Sequence, residues 1–207
     1  MPDESGRKSR ESARVQRGAE IPPPIYPRQR RPPTALEAKA LAHPLRQKIV
    51  RIAGQENLTN KQISDRLGSD PGTVFPHVRM LVEAGFLEPA EVRTGTSGAL
   101  EKPYRSTGRT WWLDDPLAKA GPELRFGPVD IAMEEARAAG PDAISTFATF
   151  TLHLSQEEVA ELDRRILIVL DEYIETDPDR LDRPVQLGFF VMHRTASAEA
   201  EYPADDG

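Results

Sequence analysis

Residues 58–88 read LTNKQISDRLGSDPGTVFPHVRMLVEAGFLE, and their spacing decides the fold. Thr59 suits the cap of a short helix that sets Ile63 and Leu67 one turn apart, and Gly68 breaks it. A second helix begins around Asp70 or Pro71 and runs to about Ala84. It carries Val74, Val78, Leu81 and Val82 on one side, with Gly85 as its stop signal. Two helices joined across Gly68-Ser69-Asp70, with apolar Ile63, Leu67 and Val74 and small Ser64 where they cross, predict a helix-turn-helix.

Upstream, a helical pattern starts at Thr34 through Leu36 and Ala40. After His43-Pro44 it resumes through Leu45, Ile49, Ile52 and Ala53, where Pro44 fits a first helical position and Gly54 ends the run. Downstream, Phe86, Leu87 and Val92 are followed by Arg93-Thr94-Gly95-Thr96-Ser97-Gly98 and Lys102-Pro103-Tyr104-Arg105-Ser106, a β-hairpin with a glycine-marked tip. Helices followed by such a hairpin make a winged helix.

The blocks ALAHPLRQKIV (40–50), the quoted 58–88 stretch and TGTSGALEKPYRSTGRTWWL (94–113) together resemble winged-helix regulators of the arsenic-repressor (ArsR) superfamily. The resemblance spans residues 35–113. It implies a DNA-binding transcriptional regulator with a winged helix-turn-helix at its front.

The charges agree with that direction. Residues 1–33 hold eight Arg/Lys against four Asp/Glu, residues 34–113 eleven against eight, and residues 114–207 eight against twenty-one. A polyanion is attracted to the front and repelled by the rear, although a basic tail beside an acidic solvated surface reads equally well from charge alone. The chain contains no cysteine, which removes disulfides, thiolate metal sites and thiol catalysis. Of the four histidines, His43, His77, His153 and His193, no pair has metal-ligand spacing, so neither metal nor cofactor is expected. No phosphate-cradling glycine loop, nucleophile elbow or close His/acid pair marks an enzyme. The longest apolar run, near Ile166–Leu170, is far short of the roughly 20 residues that span a bilayer. The first thirty residues do not read as a secretory signal, and a cytoplasmic protein is expected.

On a helical wheel the face opposite Val74, Val78 and Leu81 displays Gly72, Thr73, Pro76 and Arg79, flanked by Phe75 and Met80. The front of a second helix enters the major groove, which assigns Thr73, Phe75 and Pro76 to base edges and Arg79 to a phosphate or guanine. Phe75 alternatively packs under the wing. Pro76 disturbs the helix unless the helix starts at Thr73, and His77, at the edge of the stripe, reads as a packing residue. Arg93, Lys102 and Arg105, with the hydroxyls of Thr94, Thr96 and Ser97, equip the wing to hold phosphates. Thr59, Asn60 and Lys61 offer N–H groups and an ammonium to another.

Behind this domain, residues 114–144 form a linker with one helix, Val129–Ala139. Residues 147–154 then alternate like a strand, Ser155 and Glu158 form a capping box for a helix to about Glu175, and Val185–Arg194 alternates again. The fold class expected is therefore α+β: a disordered basic tail (1–33), a winged helix-turn-helix (34–113), a linker (114–144), a small β-α-β dimerisation or effector domain (145–195) and a disordered acidic tail (196–207). Apolar residues on both faces of Val185–Arg194 call for a second cover, such as another subunit. The expected function is that of a homodimeric, sequence-specific repressor bound to double-stranded DNA at a pseudo-palindromic operator, with a small-molecule effector pocket as a further option. A winged-helix protein-interaction module is the alternative.

Overall fold

The computed structural model describes residues 30–95 and 98–194. It opens with α1 (Ala35–Leu41), started by a capping box in which the Thr34 hydroxyl accepts the Glu37 N–H and the Glu37 carboxylate accepts the Thr34 N–H. Helix α2 (Pro44–Ala53) follows after two residues, with Pro44 at its first position and the His43 Nδ1 accepting the Leu45 N–H at 3.1 Å. Helix α3 (Asn60–Leu67) carries a second capping box, between Thr59 and Gln62, and ends on Gly68 at φ 59°, a left-handed backbone that glycine adopts without strain. Helix α4 (Pro71–Glu83) completes the helix-turn-helix.

These four helices close on one core. Ile49 from α2, Ile63 from α3, and Val74, Val78 and Leu81 from α4 are fully buried together with Leu58, Phe86 and Leu87. The apolar stripe read on α4 is the side it turns inward, which fixes its opposite side in solvent. Burying a side chain of this size contributes about 1.5–3 kcal/mol, so the orientation of α4 is set by the core.

The wing is an antiparallel hairpin made of two short ladders. Strand β1 (Leu87–Pro89) pairs with β4 (Tyr104–Ser106), and β2 (Arg93–Thr94) with β3 (Leu100–Glu101). Buried Pro103 lies between the β3 and β4 ladders and has no N–H to give to either. Leu58, ahead of α3, bridges to Tyr104 and ties the wing's base to the helices.

Helix α4 starts at Pro71, where the sequence reading put it, and not at the alternative start Thr73: Asp70 caps it by accepting the Gly72 N–H at 2.7 Å, and Pro76 is an interior proline. Three differences from the sequence reading have physical causes. Arg30 and Arg31, assigned to a disordered tail, are part of the fold because each meets a buried carboxylate. Arg31 pairs with Glu37 at 2.6 Å, and Arg30 with Asp171 at 2.7 Å. The linker helix, α5 (Pro122–Ala139), begins well before Val129 despite an interior Pro128. The Leu124 carbonyl that Pro128 cannot bond accepts instead from Gln47 Nε2 of α2 at 3.4 Å, and a side chain on neighbouring Gly127 would overlap Gln47 Oε1.

The third difference is in the rear. Helix α6 (Gln156–Glu175) starts on the Ser155–Glu158 capping box that was expected. The strands expected on either side of it are not formed, and residues 144–154 and 184–194 belong to no helix or ladder. Alternation alone makes no strand; a ladder partner is required, and this chain supplies none among the described residues. The fold is α+β, with a winged helix-turn-helix followed by α5 and α6. The acidic tail 196–207 and most of 1–33 lie outside the described residues.

Candidate nucleic-acid interface

Helix α4 presents the face that the core leaves outside. Gly72, Thr73, Phe75, Pro76 and Arg79 are all exposed, while Val74, Val78 and Leu81 are buried. Phe75 is 45% exposed, a large apolar ring partly open to solvent in the front half of the helix. Arg79 makes no hydrogen bond or ion pair with any described residue and is free to meet a base or phosphate. Interior Pro76 has no N–H for the Gly72 carbonyl one turn back. Thr73, Phe75, Pro76 and Arg79 therefore lie together on one open face.

His77 sits at the inner edge of α4, as a packing residue should. Its ring lies 4.6 Å from that of His43, and its Nδ1 is 3.3 Å from Nη1 of Arg46. Arg46 in turn donates to the carbonyls of Lys39 and Ala40. Burial holds both histidines below their ordinary pKa, assisted for His43 by Arg46 and for His77 by His43 and Arg46. The pair thus favours the neutral state, and His43 needs it, because a protonated Nδ1 could not cap α2.

The start of α3 is partly spent on itself. The capping box occupies the N–H groups of Thr59 and Gln62, leaving those of Asn60 and Lys61 without a helical acceptor. The Asn60 side chain donates to the Pro71 carbonyl at 3.1 Å and so links the start of α3 to the start of α4, a positioning task. Lys61 pairs with Asp65 across one turn at 2.7 Å, both largely exposed.

The wing differs most from its sequence reading. Its register sets Glu88 opposite Arg105 and Arg93 opposite Glu101. Opposite charges directly across a ladder attract, and both pairs form: Arg105–Glu88 at 2.7 Å and Arg93–Glu101 at 2.9 Å. Arg93 also donates to Gln62 of α3 at 3.1 Å, which ties the wing to the helix-turn-helix. Lys102 is exposed and unpaired among the described residues, and Thr94 is exposed. Thr96 and Ser97, at the tip, lie outside the described residues. Pairs this exposed are worth about 0–1 kcal/mol, so a phosphate can displace either glutamate. The glutamates were in plain sight in the sequence; their effect follows from register, which the sequence does not state.

Residues 52–91 match the family model of the IclR helix-turn-helix domain. The chain therefore carries the winged helix-turn-helix DNA-binding domain of a transcription regulator. The match runs from α2 through the full helix-turn-helix into the wing. It lends no support to the arsenic-repressor assignment; both families share the winged helix-turn-helix, and that is what stands. No curated protein matches the chain. Among the described residues no three His, Asp or Glu side chains are grouped to hold a metal ion, and no helix is long and apolar enough to cross a membrane.

Proposed function

We propose that this chain is a homodimeric transcriptional repressor that grips a pseudo-palindromic operator. Helix α4 enters the major groove, and the wing and the start of α3 hold the flanking phosphates. The observation that carries the reading is the open face of α4, with unpaired Arg79 beside exposed Thr73, Phe75 and Pro76. Arg79 is the one side chain among those four able to make a bidentate pair with guanine; Phe75, Pro76 and the Thr73 methyl suit thymine methyl groups. The half-sites it favours contain A·T pairs. Two such helices about 34–36 Å apart match successive major grooves on one side of a duplex. Lys102, Arg93, Arg105, Thr94, Thr96, Thr59, Asn60 and Lys61 supply positioning contacts with little sequence information. The acidic rear, residues 145–195, keeps itself off the DNA and pairs the two chains; a small-molecule effector is a further role for the same region.

Fluorescence anisotropy with the DNA upstream of the protein's own gene, at two salt concentrations, tests this. A saturable, sequence-preferring complex with two protein chains per site is expected. Binding that ranks scrambled and native DNA alike would overturn it.

One observation favours a second reading, a winged helix used as a protein-interaction module: the wing's two arginines are each already matched by a glutamate. An interaction module would bind DNA weakly and without a steep salt slope, and the same titration separates the two.

A further inference from the structure

Two segments of the rear half carry no charge at all: ISTFATFTLHL (144–154) and PVQLGFFVMH (184–193), on either side of the charged helix α6. Each alternates in the manner of a strand, yet neither has a ladder partner among the described residues. Their large side chains lie in water: Phe147 is 84% exposed, Phe150 53% and Phe189 52%. Helix α6 repeats the pattern, with Val169 and Tyr173 more than half exposed; its fully buried residue is Asp171, which faces the winged helix instead. Isolated exposed apolar residues are ordinary, but an apolar helix face flanked by two apolar segments marks an interface.

What covers it follows from the count of strands. Joined within one chain across α6, the segments would give only a two-stranded sheet, which is marginal in water. The second segment is apolar on both faces, through Val185, Leu187, Phe189 and Val191 on one and Phe190 and Met192 on the other, so it demands cover on both sides. One α6 covers one side. Natural edge strands are guarded by charges or bulges; these segments have no charged residue, so nothing repels an identical edge. The acidity of the surrounding rear half excludes nucleic acid as the partner. A second copy brings the same uncharged edges, the same apolar faces and another α6.

We propose that residues 144–154 and 184–193 become strands on meeting the same segments of a second copy, building one joint sheet covered by the two α6 helices. This rests on the dimeric reading above and assigns its interface. The association is isologous, as a two-fold operator complex requires.

The test uses the full chain without DNA. Sedimentation velocity at low micromolar concentration is expected to give twice the chain mass, and Phe150→Asp combined with Phe189→Asp to halve it, with emission from Trp111 and Trp112 unchanged. Because the chain has no cysteine, single cysteines placed along the two segments, alone and in mixed pairs, report the pairing directly. Oxidation is expected to link chains through these positions and not through an Ala118→Cys control. A monomeric wild type, a dimer that survives the double substitution, or cross-linking no better than the control would each overturn the proposal. A monomer that still ranks operator variants would sink this interface alone; a dimer that ignores DNA would sink the operator reading alone.

Discussion

The carboxylate of Asp171 in α6, fully buried, accepts from Nη2 of Arg30 at 2.7 Å and from Nε1 of Trp111 at 2.7 Å. Arg30 also donates to the Trp111 carbonyl, and its guanidinium lies 4.9 Å from the Trp111 ring and 5.8 Å from that of Trp112. One residue from each of three distant parts of the chain meets here, and the contact joins the acidic rear to the winged helix. Removing one partner of a buried pair costs about 3–5 kcal/mol because the other charge is left uncompensated. Arg30 is 19% exposed, which puts Asp171→Ala near the lower end. Trp111 and Trp112 are the two tryptophans of the chain, so their emission should shift to the red in this variant, and chemical denaturation should show the loss. Unchanged emission would mean that α6 is not held at this point.

The wing's glutamates restrain its arginines. Glu88→Gln and Glu101→Gln should each raise affinity for operator and scrambled DNA by the same factor, since Arg105 and Arg93 are then released to phosphates. Lys102→Ala should lower all affinities alike and flatten the salt slope by about 0.9, the share of one phosphate. A change in the ranking of sequences would show that the wing reads bases.

Arg79→Ala should behave differently. Loss of one bidentate base contact costs about 1–3 kcal/mol and relaxes preference at a single operator position. Equal weakening on every sequence would make Arg79 a phosphate contact.

Pro76→Ala restores a helical hydrogen bond to the Gly72 carbonyl and removes a ring from the turn before it. Interior prolines cost a helix about 3 kcal/mol, so thermal unfolding should move upward by a part of that. If Pro76 meets a thymine methyl, the more stable variant will rank operator variants less sharply, and an anisotropy titration detects it.

Two acid-sensitive steps should appear in stability against pH. His43 and His77 are held below their ordinary pKa by burial, so the folded chain binds fewer protons than the unfolded one; the stability they contribute is full above about 6.5 and declines as pH falls below it. Glu37 is lowered from 4.5 to about 2, chiefly by its hydrogen bonds from Arg31, and its contribution is lost as pH falls through that window. His43→Asn keeps a capping oxygen for α2 and should remove much of the first step. Glu37→Gln should remove the second. A stability curve flat between pH 7 and 5 would contradict the burial of the histidine pair.

The helix-turn-helix was legible because its signals are local. The helix starts at Thr34 and Thr59, Pro44 at a first helical position, glycines at 54, 68 and 85 and the Val74/Val78/Leu81 stripe each act within a few residues, and they placed α1 to α4 nearly to their ends. The same stripe, by facing inward, determined which side of α4 stays open. Three features waited for tertiary structure, each being a contact that local sequence signals do not state. Arg30 and Arg31 look like a tail until Asp171 and Glu37 stand beside them; Pro128 looks like the residue before a helix until Gln47 takes the stranded carbonyl; Arg93 and Arg105 look like free cations until the ladder register sets glutamates opposite. The rear shows the same division. Its alternation marks two segments fit to be strands, but a strand exists only against a neighbour, and no described residue of the chain supplies one.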